Sequence, residues 1–256
     1  MSNVPYLSIV LPAYNEARRL PPTLAALAEF VRGFTQSYEV LIVVEQSTDG
    51  TLEIAAGLAA QQAHFQVIDN GPQRGKGHAV RSGMLRAQGE YVFYMDADLS
   101  VPLAEVPAFL RRFEEAPGVD VLVGNRQHAS SRITRRQSPL RESMGQIFNQ
   151  VLKSLLPVQL RDTQCGFKAF RHAACQDIFS RQKVDGFAFD VEILLLAEKL
   201  GYVTEDLPVE WINSPESKVR IIRDSLGMLF DAWRLRSRIG REIATKARRP
   251  EEAARH

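Results

Sequence analysis

Short, almost continuously apolar runs alternate with longer segments of helical periodicity through the first half of the chain. Strands are predicted at residues 6–12, 38–44, 65–69, 91–95 and 119–124, and helices at residues 15–33, 51–63, 78–87 and 102–115. Strands this apolar are typical of a parallel sheet that is buried on both faces. The regular alternation of strand and helix predicts an α/β fold with a mostly parallel, doubly wound central sheet and helices on both faces.

The second half of the chain is less regular. Its predicted elements are a mobile basic loop at residues 127–139, a helix at 144–156, a turn-rich segment at 161–168, a helix at 187–200, a strand at 202–211 and a helix from Val219 almost to the end. We therefore predict a globular domain at residues 1–218, a C-terminal helix at residues 219–247 and a disordered tail at residues 248–256.

The predicted C-terminal helix is amphipathic and partly basic. Ile222, Leu226, Leu229 and Trp233 fall on one face of it, and residues 234–249 hold seven Lys or Arg against one Glu. A basic amphipathic helix with a tryptophan is typical of a segment that lies on an anionic membrane surface. For the first half of this helix, packing against the protein's own core is the alternative.

The overall composition is that of a soluble globular protein. The net charge is +2, 45% of the residues are hydrophobic, and no apolar run approaches the roughly 20 residues that span a bilayer. The N-terminus has no secretory signal pattern, so we predict a cytoplasmic protein that meets the membrane only peripherally. Cys165 and Cys175 lack metal-ligand spacing and are expected to stay reduced. The basic residues are local and no aromatic platform accompanies them, which argues against nucleic-acid binding, and no oligomeric state is predicted.

Two carboxylates follow the fourth predicted strand. Asp96 and Asp98 lie at the carboxyl end of this strand, and in open α/β sheets that edge binds ligands. The two charges would repel each other unless a cation lies between them, and an oxygen-only pair suits a hard divalent ion that also takes phosphate oxygens. The sequence therefore predicts a site for a cation and a diphosphate. The alternative is that Asp98 caps the next helix and that Asp96 is a solvated loop residue.

Eight short motifs occur along the chain. They are residues 10–16 (VLPAYNE), 47–51 (STDGT), 74–77 (RGKG), 96–98 (DAD), 124–126 (GNR), 161–168 (RDTQCGFK), 188–192 (AFDVE) and 217–218 (SK). Their order and spacing resemble those of the inverting family 2 glycosyltransferases, above all the dolichyl-phosphate β-glucosyltransferase group and its bacterial polyprenyl-phosphate relatives. The resemblance covers roughly residues 6–235 and implies a GT-A fold, a nucleotide-sugar donor, and Mg²⁺ or Mn²⁺ as the metal.

The resemblance also implies a set of donor-side residues. Asp96 and Asp98 would hold the metal, and Ser100 stands where several relatives place a Gln or His near it. Loops after the first two strands would bring further side chains to the same sheet edge. The predicted donor-binding residues are Pro12, Tyr14, Asn15, Glu16, Glu45, Asp49, Lys76 and Asp96. The alternatives are that Asn15 and Glu16 only start a helix and that Lys76 is a solvated cation.

Two details concern the nucleotide. Gly75 and Gly77 would let the backbone near Lys76 approach the nucleotide closely. After the second strand, relatives commonly read Asp-Asp-Gly-Ser, whereas this chain has Glu45-Gln46-Ser47, which is one residue shorter and lacks the glycine. The contacts to the base are therefore expected to differ from those of the relatives.

The predicted acceptor is a lipid monophosphate. Its second pKa is about 6, so an anionic oxygen is available near neutral pH and no strong general base is required. The active site must instead supply cations that hold this dianion beside the negatively charged donor. The candidates are Arg126, Arg135, Arg136, Lys168 and Lys218. The predicted catalytic residues are Asp98, Arg126, Asp162, Asp190 and Lys218, with Asp162 as a sugar-hydroxyl ligand or base and Asp190 as an acid near the sugar. For the arginines at 132–136 the alternative is a solvated loop charge.

The activity predicted from these motifs is the inverting transfer of a sugar, glucose from UDP-glucose, onto a polyprenyl or dolichyl phosphate. The first alternative is the same reaction with GDP-mannose or UDP-N-acetylglucosamine as the donor. The second alternative is a non-catalytic module that binds a nucleotide sugar.

Overall fold

The computed structural model describes residues 4–135 and 162–212 together with Leu235. The chain divides into two compact units, residues 1–137 with 159–217 and residues 138–158 with 218–256, and the fold and site below belong to the first. Several predictions lie outside the described residues. They are the helix at 144–156, the C-terminal helix at 219–247, the tail at 248–256, Arg136 and Lys218.

The described part of the first unit contains two sheets. The strands are β1 (Leu7–Ala13), β2 (Tyr38–Val44), β3 (Phe65–Asp69), β4 (Tyr91–Met95), β5 (Val121–Asn125), β6 (Arg132–Arg135), β7 (Phe167–Arg171), β8 (Thr204–Pro208) and β9 (Glu210–Ile212). The main sheet has the order β3-β2-β1-β4-β7-β5-β8, and β6 pairs with β9 in a separate ribbon. All neighbours in the main sheet are parallel except β7, which is antiparallel to both β4 and β5.

Helices cover both faces of the main sheet. They are α1 (Leu20–Arg32), α2 (Thr51–Ala59), α3 (Lys76–Arg86), α4 (Val106–Glu115), α5 (His172–Arg181) and α6 (Phe189–Leu200), and a short 3-10 turn at Leu103–Glu105 precedes α4. In β1, Leu7, Ile9 and Leu11 pack in one core with α1, α2 and α4, whereas Val10 packs in the other core with α3, α5 and α6. Burial on both faces explains the continuous apolar strands, and the predicted doubly wound α/β class is confirmed.

Helix α1 begins later than the sequence predicts. The backbone N–H groups of Asn15 and Glu16 donate to Ser47 Oγ at 3.0 Å and to Thr51 Oγ1 at 2.8 Å. Asn15 also has a φ of 53°, in the left-handed region, which a right-handed helix does not contain. The helix starts at Leu20, with a proline in its first turn, where the missing N–H costs nothing. The alternative that Asn15 and Glu16 start the helix is therefore wrong.

The second half of the chain differs more from the prediction. Phe167 and Lys168, placed by the sequence in a turn-rich segment, already belong to β7, and helix α5 follows directly. The strand predicted at 202–211 is interrupted at the buried Val209, so that its two halves join different sheets as β8 and β9. The basic loop predicted at 127–139 contains β6, whose partner is β9.

The cysteines agree with the prediction of reduced thiols. Cys165 and Cys175 are both free and buried. Burial raises the pKa of the Cys165 thiol to about 12, so this thiol stays protonated and unreactive. Among the described helices none has both the length and the apolar character needed to cross a bilayer.

Candidate active site

The carboxyl end of β4 carries the two aspartates that the sequence singles out. Asp96 Oδ1 lies 2.6 Å from Lys76 Nζ. Asp98 Oδ1 accepts hydrogen bonds from the backbone N–H of Ser100 at 3.0 Å and from its hydroxyl at 2.8 Å, and Asp98 Oδ2 lies 3.7 Å from Arg19 Nη1. Each carboxylate is thus held by a cation, and Ser100 orients Asp98. Neither α4 nor the 3-10 turn before it has a side-chain cap, so the alternative that Asp98 caps this helix is wrong.

Lys76 reaches this site because it is the first residue of α3. Its side chain is 19% exposed and that of Asp96 is 36% exposed. Burial alone would lower the pKa of Lys76, but the charge of Asp96, aided by those of Asp190 and Asp98, outweighs this and raises it. Lys76 is therefore a charged residue fixed in the site, and the alternative of a solvated cation is wrong.

The chemistry of the aspartate pair fits a hard divalent cation. Both carboxylates are partly exposed at the sheet edge and offer oxygen ligands, which Mg²⁺ and Mn²⁺ prefer. No group of three or more His, Cys, Asp or Glu side chains that could hold a metal is found in the described part of the chain. An ion held by Asp96 and Asp98 would therefore complete its shell with water and with phosphate oxygens of a substrate.

The loops after β1 and β2 are fastened to each other beside the aspartates. The side-chain oxygen of Asn15 accepts the backbone N–H of Thr48 at 2.8 Å. Asp49 accepts the N–H of Ala17 at 3.1 Å with one oxygen and contacts Thr51 with the other. These bonds bring Asn15 and Asp49 to the predicted sheet edge.

Three further donor candidates belong to the first of these loops or to the strand before it. Pro12 lies within β1, and Tyr14 follows the end of that strand. The carboxylate of Glu16 pairs with Arg19 at 2.5 Å, and Arg19 is the arginine that also approaches Asp98. Glu16 is therefore linked to the aspartate pair through a shared cation.

Glu45 has a different role from the predicted contact with the donor. Its side chain is almost wholly buried, and its oxygens accept the backbone N–H groups of Arg74 at 3.2 Å and Gly75 at 3.1 Å. His78 Nδ1 lies 3.0 Å from the same carboxylate. Glu45 therefore shapes the loop that presents Lys76, because both of its oxygens are engaged there.

The two glycines beside Lys76 also serve the fold. A Cβ on Gly75 would lie 2.5 Å from the carbonyl oxygen of Asp185, and a Cβ on Gly77 would lie 2.5 Å from that of Val184. Gly75 has a φ of 135°, which few other residues adopt. The prediction that these glycines admit the nucleotide is therefore corrected, since the close approach is made by the loop that leads into α6.

Arg126 and Asp162 form a second charged group. Asp162 accepts three hydrogen bonds from Arg126, from the backbone N at 2.9 Å, from Nε at 2.7 Å and from Nη2 at 2.8 Å. The Asp162 side chain is 0% exposed and that of Arg126 is 26% exposed. Burial would raise the pKa of Asp162, but the charge and hydrogen bonds of Arg126 outweigh it and lower the pKa. Asp162 is consequently a weak proton acceptor that fixes the guanidinium.

Arg126 also makes contacts that the sequence does not reveal. Its guanidinium lies 5.7 Å from the ring centroid of Trp211 in β9. Burial opposes its charge, but the charge of Asp162 and, more weakly, that of Asp96 outweigh burial and raise the pKa of Arg126. Strands β4 and β5 are both antiparallel to β7, so they run in the same direction, and Arg126, which follows the last residue of β5, lies at the same sheet edge as Asp96. A tryptophan on a short strand carries no recognisable sequence signal for this role.

Lys168 and Asp190 form a third group, inside the protein. Lys168 Nζ donates to Asp190 Oδ1 at 2.5 Å, to the carbonyl oxygen of Cys165 at 2.7 Å and to the hydroxyl of Tyr94 at 2.8 Å. The Lys168 side chain is 0% exposed and that of Asp190 is 5% exposed. All three protons of the ammonium group are used within the protein. The prediction that Lys168 holds the acceptor phosphate is therefore corrected, and Asp190 serves first as the partner of Lys168.

Of the remaining predicted acceptor cations, the structure describes only one. Arg135 belongs to β6, and its backbone is paired with Ile212 of β9. Arg136 and Lys218 fall outside the described residues. Among the predicted acceptor cations that the structure describes, Arg126 is therefore the one that lies at this sheet edge with known side-chain contacts.

Comparison with known proteins agrees with this arrangement. Residues 8–179 match Glycosyl transferase family 2. The chain is 29% identical over 224 residues to the dolichyl-phosphate beta-glucosyltransferase ALG5C of Trichomonas vaginalis, with 84% of this chain and 66% of that protein covered. It is 31% identical over 244 residues to the dolichyl-phosphate beta-glucosyltransferase of Dictyostelium discoideum, with 91% of this chain and 74% of that protein covered. The chain belongs to glycosyl transferase family 2.

A solved structure supports the fold. The glucosyl-3-phosphoglycerate synthase of Mycobacterium tuberculosis, in complex with Mn²⁺, UDP and phosphoglyceric acid, superposes with a TM-score of 0.65 at 18% identity, covering 89% of this chain and 76% of that one. This likeness confirms the predicted GT-A fold, and the family match and the curated relatives confirm the predicted glycosyltransferase class. The chain spans about two thirds to three quarters of the length of the two curated relatives named above.

Proposed function

We propose that this protein transfers glucose from UDP-glucose to a polyprenyl phosphate, with inversion at the anomeric carbon. The observation that carries the proposal is the arrangement of cations around Asp96. Lys76 pairs with this carboxylate at 2.6 Å, and Arg126 follows the last residue of β5 at the same edge of the sheet. One cation is therefore available to a donor diphosphate and another to an acceptor phosphate at the same sheet edge. The two curated relatives named above are dolichyl-phosphate glucosyltransferases, which supports this choice of acceptor and sugar.

The state of Asp162 fits an acceptor that is already anionic. Asp162 receives three hydrogen bonds from Arg126, and its lowered pKa makes it unsuited to remove a proton. A phosphate monoester needs no such base, because its second pKa is about 6. An alcohol acceptor would need one. Arg126, held by Asp162 and by the ring of Trp211, would orient the phosphate oxygen toward the anomeric carbon.

On the donor side, Asp96 and Asp98 would hold Mg²⁺ or Mn²⁺, and this ion would neutralise charge on the leaving diphosphate. Lys76, which pairs with Asp96, would exchange this contact for one with a phosphate oxygen when the donor binds. The fastened loops around Asn15 and Asp49 would form the wall beside the nucleoside. Among the donor residues proposed from the sequence, Pro12, Tyr14, Asn15, Glu16 and Asp49 remain candidates for this wall.

The test is transfer from a panel of donors to one polyprenyl phosphate in detergent with Mn²⁺. We expect UDP-glucose to be used in preference to GDP-mannose and UDP-N-acetylglucosamine, and the product to be β-linked by NMR. Asp98→Ala should abolish transfer and leave the fold intact. Asp177→Ala, which removes an aspartate of α5 paired with Arg181 at 2.7 Å, is the matched control and should keep full activity. No transfer from any donor, or an α-linked product, would refute the proposal.

The site of action is proposed to be the cytoplasmic face of the membrane. The support comes from the sequence alone, since the basic amphipathic helix predicted at 219–247 lies outside the described residues. Anionic lipid would attract this helix with about 1 kcal/mol per basic residue near the surface. Flotation with anionic liposomes at low and high salt would test the contact, and equal flotation after removal of residues 234–256 would exclude this helix as the anchor.

A further inference from the structure

Gly166 lies directly against the carboxylate of Asp96. A Cβ on Gly166 would lie 2.0 Å from Asp96 Oδ2, 2.4 Å from Cγ and 2.8 Å from Oδ1. Non-bonded heavy atoms are at their best near 3.5 to 4.0 Å, so a side chain here and the present position of the carboxylate exclude each other. The three atoms nearest to this Cβ all belong to Asp96.

The backbone around Gly166 is held from several sides. The carbonyl oxygen of Gly166 accepts the N–H of Asp96 at 3.1 Å. The preceding Cys165 is wholly buried, and its carbonyl oxygen accepts a hydrogen bond from Lys168 Nζ at 2.7 Å. The following Phe167 is also wholly buried and pairs with β4 in the sheet. An added side chain would therefore displace the carboxylate, which can rotate, and would leave this backbone in place.

Backbone conformation does not explain the glycine at this position. Among the described glycines, those with positive φ are Gly50, Gly71, Gly75 and Gly201. Gly166 is not one of them, so alanine is compatible with its backbone. The obstacle to alanine is steric, because its Cβ would overlap with the Asp96 carboxylate.

We infer that Gly166 is a positioning residue that fixes the Asp96 carboxylate where it can serve the metal and the donor diphosphate. The inference rests on the proposed function, in which Asp96 is a metal ligand. A carboxylate turned away from Gly166 would lose its present contact with Lys76 and its orientation relative to Asp98. The site would then lose a ligand although every charged residue remained in the sequence.

The first measurement is the affinity for UDP with and without Mn²⁺, by calorimetry on the full chain. Gly166→Ala should weaken Mn²⁺-dependent UDP binding by about 10-fold or more, as for the loss of a charge-assisted contact. The melting temperature should fall by less than about 4 °C, which is a small change for a protein of this size. Gly118→Ala is the matched control, because a Cβ there meets nothing within 4 Å, and it should change neither quantity.

The second measurement repeats the substitution in an Asp96→Ala background. If Gly166 acts through the carboxylate, Gly166→Ala should there leave metal-independent UDP affinity and melting temperature unchanged, because the atoms that it would meet are gone. A similar drop in melting temperature in both backgrounds would overturn the inference and assign Gly166 to the fold. Normal Mn²⁺-dependent binding by Gly166→Ala would overturn it as well. Failure of the unchanged protein to bind UDP with Mn²⁺ would overturn the proposed function and this inference together.

Discussion

Two lysine–aspartate pairs of this protein are nearly identical in contact and opposite in setting. Lys76 and Asp96 meet at 2.6 Å, and Lys168 and Asp190 meet at 2.5 Å. The first pair stands at the open carboxyl edge of the sheet, where both side chains are partly exposed. The second pair is enclosed in the interior, and a tyrosine hydroxyl and a backbone carbonyl complete its hydrogen bonds. The distance between the charges therefore does not tell which pair is available to a ligand.

The surroundings decide between the two roles. Separating a buried ion pair leaves uncompensated charge in the interior, so a buried pair whose hydrogen bonds are all satisfied is costly to open. A pair that is partly exposed to water costs less to open than a buried pair, because water can solvate the separated charges. Lys168 and Asp190 consequently belong to the scaffold, and Lys76 and Asp96 can separate to receive a cation and a phosphate. Arg126 combines both features, since its partly exposed guanidinium is presented by a buried carboxylate.

The largest expected effect comes from breaking the buried pair. Lys168→Met should lower the free energy of unfolding by about 3–5 kcal/mol, because the buried carboxyl group of Asp190 would be left without its cation. Urea unfolding followed by circular dichroism measures this. The double variant Lys168→Met with Asp190→Leu should recover most of the loss. A change below about 1 kcal/mol in the single variant would show that the buried pair is not the stronger structural element.

The same substitution at the edge should produce the opposite pattern. Lys76→Met should lower the free energy of unfolding by less than Lys168→Met does, since the pair of Lys76 with Asp96 is partly exposed. It should weaken UDP binding in the presence of Mn²⁺ by about 10-fold or more, because a charge-assisted contact to phosphate is lost. Unfolding and calorimetry on one preparation separate the two effects. Strong destabilisation with unchanged UDP affinity would reverse the assignment of the pairs.

The smallest expected effect concerns Asp162 and pH. Its folded-state pKa lies below the unfolded value of about 3.9, so its contribution to stability is present above that value and is lost as the pH falls through the folded pKa. Asp162→Asn should be less stable than the unchanged protein at pH 7. The difference should shrink as the pH falls below about 4, in unfolding curves measured at several pH values. A difference that is constant with pH would show that the charge of Asp162 is not what stabilises this region.

The sequence predicts well the part of the fold in which strands that follow one another in the chain also pair among themselves. Strands β1 to β4 are apolar, follow one another with a helix after each of the first three, and pair within this group. Strand β7 has no such signal. Its second residue is Lys168, which a sequence pattern assigns to solvent, and the partner that permits its burial, Asp190, lies on helix α6. A buried charge is recognisable only once its partner is known.

The candidate site likewise contains some residues whose role the sequence predicts and others whose role it does not. Asp96 and Asp98 are predictable because a strand leads directly into them, and their place at the sheet edge follows from topology. Glu45 is misjudged because the N–H groups that it accepts come from Arg74 and Gly75, on another loop. Gly166 carries no sequence signal apart from its motif, since its importance is a matter of volume next to Asp96.

The antiparallel strand β7 has a consequence for how the molecule is made. Strands β4 and β5 do not pair with each other, because β7 lies between them and is hydrogen-bonded to both. Its last residue, Arg171, opposes Tyr91, which lies 80 residues earlier in the chain. During synthesis the first four strands therefore emerge with β4 as an open edge, and such an edge can pair with other chains. The strand that closes this edge is also the one that carries Lys168 into the core, so the same segment of the chain is needed both to cover the edge of β4 and to form the buried ion pair.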